Sequence, residues 1–131
     1  MDTATGAARK RQILIVDDDV ELAWFFQELL KLHGYETTIM SDGVPALKHA
    51  LHHHVDVVIC DLQMTQLDGD LFFATIERVK PALARRFIFV TGLADEARFQ
   101  KFVSTVEVPV LRKPVPVEML LDEIERVTGG R

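Results

Sequence analysis

A single cysteine in 131 residues rules out an internal disulfide. Cys60 lies in the apolar run VDVVIC, where burial as a small hydrophobe is its expected fate, and a reducing cytoplasm is the natural setting for such a chain. No apolar run approaches the ~18 residues of a membrane span. The N-terminal MDTATGAARKRQ has a basic cluster (Arg9, Lys10, Arg11) but no apolar segment behind it, so it does not read as a signal peptide. Positive charge is scarce too. Lys and Arg number 15 against 20 Asp and Glu, a net charge of −5, which gives no electrostatic reason to expect nucleic acid or an anionic membrane as a partner. Linkers, internal repeats and a second domain are also missing.

What remains is an ordinary globular composition, 48% hydrophobic and 27% charged, in a chain long enough for one domain with a real core. Apolar runs of strand length occur at 13–16, 37–40, 55–60, 87–90 and 108–111. Helical patterns lie between and after them, at about 20–33, 43–53, 68–80, 94–105 and 116–127. Five strands alternating with five helices predict an α/β fold with a doubly wound parallel sheet. The punctuation agrees. Gly34 follows the first helix as a left-handed C-terminal residue, Asp68-Gly69 can cap the third helix, and Pro81 follows its end. Pro109 within the fifth strand removes a ladder donor and predicts an edge position. Residues 1–11 and 129–131 are expected to be tails around a domain at 12–128.

The run ILIVDDD at 13–19 poses the functional question, because a strand buried on both faces ends in three adjacent carboxylates. At an effective dielectric near 20, two carboxylates about 4 Å apart repel by roughly 4 kcal/mol. Something positive must sit among them, or one must hold a proton. In a doubly wound sheet, ligands bind beyond the carboxyl ends of the strands. Strand one ends in Asp17 and Asp18, strand three in Asp61, strand four in Thr91 and strand five in Lys113. Three carboxylates, a hydroxyl and an ammonium should therefore meet at one edge. Clustered carboxylates suit a hard cation such as Mg²⁺. An Asp is also a competent nucleophile toward phosphorus, and phosphoryl transfer needs little beyond in-line positioning and charge stabilisation.

With these motifs in hand, the sequence resembles the receiver domain of two-component response regulators from residue 12 to about 128. The matching motifs are VDDD at 16–19, CDLQMTQLDG at 60–69, VTG at 90–92 and KP at 113–114. The resemblance implies a (βα)₅ flavodoxin-like sheet of strand order 2-1-3-4-5. It implies a phosphoacceptor at Asp61, taking its phosphoryl group from a phosphohistidine on a sensor histidine kinase or a histidine phosphotransfer protein. Mg²⁺ would be held by Asp17, Asp18, Asp61 and the backbone carbonyl of Gln63. Lys113 would bind the phosphoryl group and precede a cis proline, and Thr91 would be the switch hydroxyl. Such a protein is not an enzyme in the usual sense. It promotes its own phosphorylation and dephosphorylation and acts on a protein target or output domain, without contacting nucleic acid itself and without entering the membrane. Asp19 has no ligand role and is free to cap the first helix.

The departures from the family pattern are specific. Thr65 stands where proline is usual, which predicts a looser loop after Asp61. Gly92 replaces a more common alanine, a smaller residue that eases access to the acyl phosphate. Val110 replaces an aromatic that elsewhere rotates between exposed and buried states, so phosphorylation must be read by another route, such as helix movements near Thr91. Gln63 and Leu93 stand at positions the family associates with phosphoryl lifetime.

Two further features call for weighing. On a helical wheel Leu22, Phe25, Phe26, Leu29 and Leu30 share one face of the first helix, and Trp24 falls on the other. Lone surface aromatics are common, yet in this family the first helix docks the histidine-bearing partner, which makes Trp24 a candidate anchor. The run at His52, His53 and His54 cannot chelate one ion, because successive helical residues point about 100° apart. His49 and His53 are four apart, but a solvated helix end explains them better. Two rival readings stand beside the receiver. One is a pseudo-receiver that binds protein without phosphate. The other is a dehalogenase-like phosphatase with Asp17 as nucleophile and Asp19 as acid. No output segment follows the last helical pattern, which suits either a free-standing receiver or one excised from a longer protein.

Overall fold

The computed structural model describes residues 9–129. Eleven elements follow in order: β1 (Gln12–Val16), α1 (Val20–Leu32), β2 (Glu36–Met40), α2 (Gly43–His52), β3 (Val57–Cys60), α3 (Gly69–Val79), α4 (Pro81–Ala84), β4 (Phe87–Thr91), α5 (Ala97–Thr105), β5 (Val110–Arg112) and α6 (Val117–Val127). The strands form one parallel sheet of order β2-β1-β3-β4-β5, as expected. Of the two expected tails, residues 1–8 and 130–131 lie outside the described residues. Arg11 is already engaged, its carbonyl accepting from Glu36 N at 3.0 Å.

Side-chain alternation along the strands splits the core into two layers. Leu14, Val16, Val58, Cys60, Phe87 and Phe89 pack against the helices α2, α3, α4 and α5. Ile13, Ile15, Val57, Ile59, Ile88 and Val90 pack against α1 and α6. With both faces covered, the inner strands need no polar positions, which is why their sequences run apolar without a break. Phenylalanines stiffen the first layer, Phe73 meeting Phe87, Phe89 and Phe102 edge-on at 5.1–5.9 Å between ring centroids.

Several expectations are corrected. Strand three starts at Val57 and not at residue 55; Val55 is buried just ahead of it. Strand five starts at Val110, so Pro109 precedes it, with the Pro109 carbonyl accepting from Phe89 N at 2.9 Å. β5 is nonetheless an edge strand. Pro81 opens a short sixth helix, α4, at a position where its missing N–H costs nothing. Phe25 is half exposed, because the buried stripe of α1 is centred on Ala23, Phe26 and Leu30. Gly34 has φ +86° as expected, and Asp19 caps α1 by accepting from Leu22 N at 3.2 Å. Asp68 occupies the N-cap position of α3, its carbonyl accepting from Phe72 N at 3.0 Å while its side chain makes no cap bond to that helix.

Candidate functional site

The backbone ladder carries the polar strand ends to one level. Asp17 N donates to Met40 O at 3.1 Å, Asp61 N to Val16 O at 3.0 Å and Lys113 N to Thr91 O at 2.9 Å. Each of these residues sits one position past the end of its strand, so all emerge together at the carboxyl edge of the sheet. Among the described residues, the buried polar or charged side chains are Asp17, Asp61 and Thr91, at 4%, 9% and 0% exposure. Groups that each cost several kcal/mol to bury alone are gathered here with their partners.

Lys113 answers the charge question. Its Nζ lies 3.0 Å from Asp61 Oδ2 and 3.1 Å from Asp17 Oδ2, so one ammonium bridges the two buried carboxylates. The remaining oxygens are held by backbone amides: Asp17 Oδ1 accepts from Asp19 N at 2.9 Å, and Asp61 Oδ1 from Leu62 N at 2.7 Å. Burial raises the Asp17 pKa against the opposing pull of the Asp19 amide and of Lys113. For Lys113, burial works to lower the pKa, but Asp61 and Asp17 outweigh it and the ammonium is held more tightly than usual. The thiol of Cys60 is pushed well up by burial, then by Asp61 and Asp17, so it is inert.

Asp18 is exposed on the outer side of the cluster. Asp17, Asp18 and Asp61 each present an oxygen, and the three lie within 4.8 Å of one another. Oxygens around an octahedral Mg²⁺ at about 2.1 Å lie roughly 3–4 Å apart, so this donor set fits a hard cation after a small closing motion. Thr91 Oγ1 accepts from Leu93 N at 3.0 Å, leaving its O–H available to donate. The Lys113–Pro114 bond is cis, as the motif implied. Gln63 is exposed between Leu62 and Met64, which are buried, and Val110 is half-buried, in register with Phe89.

Sequence reasoning missed how the loop after Asp61 is held. Asp68 Oδ1 accepts from Met64 N at 3.3 Å, and Asp68 Oδ2 pairs with Arg98 of α5 at 3.3 Å. At Gly69 a Cβ would overlap the carbonyl oxygen of Asp61, so α3 abuts the backbone of that carboxylate. Where the family's proline is missing, the loop has contacts with α2 that the sequence did not suggest. Thr65 forms an isolated parallel bridge with Asp42, and its carbonyl accepts from Gly43 N at 3.2 Å. The Asp68-Gly69 pair was visible in the sequence, but nothing there pointed to Arg98 or Gly43. The histidines do not gather around a common point. His49 and His53 stack at 4.4 Å, while His54 pairs with Asp56 at 2.9 Å.

The fold and site together define a doubly wound α/β protein with an acidic cleft at its strand ends. More specifically, residues 13–125 match the response regulator receiver domain family, and the chain belongs to it. It is 29% identical over 124 residues to a probable chemotaxis protein CheY of Rhizobium etli, covering 94% of this chain and 96% of that protein. It is 27% identical over 114 residues to the transcriptional regulatory protein ZraR of Escherichia coli K12, covering 87% of this chain. The match spans only a quarter of ZraR, 25% of its length. Among solved structures, the receiver domain of a sensor histidine kinase from Pseudomonas aeruginosa superposes with a TM-score of 0.80 at 24% identity, covering 92% of this chain and 99% of the other. That structure has a magnesium ion coordinated in its active-site cleft. Among the described residues, no helix is long and apolar enough to cross a membrane.

Proposed function

We propose that this receiver accepts a phosphoryl group on Asp61 from a phosphohistidine donor, with Mg²⁺ bound, and thereby shifts between two surface conformations that a protein partner distinguishes. The observation that carries this reading is the bridge from Lys113 to both Asp17 and Asp61, at 3.1 and 3.0 Å, beside a third carboxylate. Asp17, Asp18, Asp61 and the Gln63 carbonyl would hold the metal, which supplies positive charge for the phosphoryl oxygens when bound. An Asp61 oxygen attacks phosphorus in line, the P–N bond to the donor histidine breaks, and the ring nitrogen keeps the electron pair. Lys113 holds one phosphoryl oxygen and the Thr91 hydroxyl donates to another. The switch extends only as far as the phosphoryl group binds one conformation better than the other. In removal of the group, water attacks phosphorus, the P–O bond to Asp61 breaks, the carboxylate keeps the electron pair and inorganic phosphate leaves.

The exposed stripe of α1, with Val20, Trp24 (58% exposed) and Phe25, is the surface we assign to the histidine-bearing donor. The setting we assign is the cytoplasm, with the target a protein or an output domain. Asp19 is committed to capping α1, which speaks against a phosphatase with Asp19 as its acid. A pseudo-receiver remains the second reading, favoured by Val110 in place of the relay aromatic.

Intact mass after incubation with acetyl phosphate and Mg²⁺ tests the reading. One Mg²⁺-dependent phosphoryl adduct is expected in the wild type, absent from Asp61→Asn and diminished in Asp17→Asn. No adduct, together with no binding of beryllofluoride, would hand the case to the pseudo-receiver.

A further inference from the structure

The loop from Leu62 to Asp68 contains one strained residue. Gln66 has φ +73°, the one non-glycine residue with positive φ among the described residues. Such a conformation costs on the order of 1 kcal/mol and persists only where its surroundings over-determine it. Its two neighbours show what does so. Thr65, on one side, is bridged to Asp42 and accepts from Gly43 N at 3.2 Å. Leu67, on the other side, lies against Gly43 so closely that a Cβ there would meet Leu67 O at 2.5 Å and Leu67 Cβ at 2.7 Å. Both contacts come from the first residue of α2. The arch then closes on itself, through Met64 N on Asp68 Oδ1, and Gly69 N donates to Leu62 O at 2.7 Å. Gln63 stands between those anchors and Asp61 immediately before the first of them.

We propose that the first turn of α2 positions the acceptor loop, with Gly43 and Thr65 as positioning residues that set how Asp61 and the Gln63 carbonyl meet Mg²⁺ and the phosphoryl group. This rests on the function proposed above and names the part of the fold that controls it. Thr65 stands where the family's usual proline would be, and the clamp to α2 takes over the ordering of the loop. Coupling between two sites is reciprocal. A ligand at the carboxylates must therefore tighten the Gly43 contact, and a partner gripping the exposed residues beside it, Val44 and Pro45, must tune the affinity of the site.

Two measurements test this. Calorimetric titration with Mg²⁺ should show affinity falling about fivefold or more in Gly43→Ala. In the wild type, Mg²⁺ with beryllofluoride should slow hydrogen exchange of the Gly43 amide by a similar factor and leave the C-terminal turn of α2 unaffected. The exchange experiment needs no variant, so it decides the matter if Gly43→Ala does not fold. Wild-type protein that binds Mg²⁺ while Gly43→Ala binds equally well, or whose Gly43 exchange does not respond, overturns this inference alone. Wild-type protein that binds neither Mg²⁺ nor beryllofluoride overturns it together with the proposed function.

Discussion

After Asp61 the chain enters a loop in which nearly every turn is tied. Leu62 and Met64 are buried, Thr65 is bridged to Asp42, Asp68 bonds both Met64 N and Arg98, and Gly43 and Gly69 press against the backbone where no side chain would fit. After Thr91 the chain enters a segment with ties of its own, the Leu93 amide on Thr91 Oγ1, Glu96 N on Leu93 O and Asp95 with Arg112, but a Cβ at Gly92 would have nothing within 4 Å. The two loops flank one cleft but differ in the room at their glycines, which is none at Gly43 and Gly69 and open at Gly92. A phosphoacceptor needs its nucleophile and metal oxygens fixed before the reaction, because positioning is most of what the protein contributes. A switch needs a neighbour with room to move once charge arrives. The crowded loop suits the first task and the open one the second.

Gly69→Ala attacks the crowded side most directly. The added methyl collides with the Asp61 carbonyl, a backbone atom that cannot rotate away. A loss of about 3 kcal/mol in chemical denaturation is expected, with Mg²⁺ binding lost in parallel. A stability loss with metal affinity intact would show that the crowding serves packing alone.

Lys113→Ala removes the charge shared by the two sides. Asp17 and Asp61 are left buried and facing each other, so metal-free protein should lose about 2 kcal/mol, partly restored by saturating Mg²⁺. The sign of the pH dependence follows from the raised Lys113 pKa. Its contribution is present below the ordinary value of 10.5 and disappears as pH rises through the higher folded value. Urea midpoints of wild type and variant should therefore differ at pH 7 and converge at strongly alkaline pH.

Gly92→Ala probes the open side and should have the smallest effect. Gly92 is outside the positive-φ region and its Cβ position is empty, so alanine should stabilise by about 0.5 kcal/mol through the unfolded state. Mg²⁺ affinity by calorimetry should not change. A clear fall in affinity would mean that the Thr91 loop is not free, and the contrast between the two loops would fail.

The sequence by itself determined the sheet, its five strands and the family. It also named Asp17, Asp18, Asp61, Thr91 and Lys113 as the polar ends of those strands. This was possible because burial on both faces forces unbroken apolar runs, and each run must end where water begins. Thus ILIV ends at Asp17, VVIC at Asp61, FIFV at Thr91 and VLR at Lys113. The error at Pro109 fell at a boundary, where a local signal marks a break without placing it; Pro81 does follow the end of α3, and only the short helix it opens was not foreseen. Tertiary structure alone decided that Lys113 bridges two carboxylates, that the Asp68 side chain reaches Arg98 rather than its own helix, that Phe25 lies outside the buried stripe, and that Gly43 meets the loop at Thr65 and Leu67. Each of these depends on distances between residues far apart in the chain, or on which side of a helix meets the sheet. Periodicity fixes the face of one element; only packing decides what that face touches.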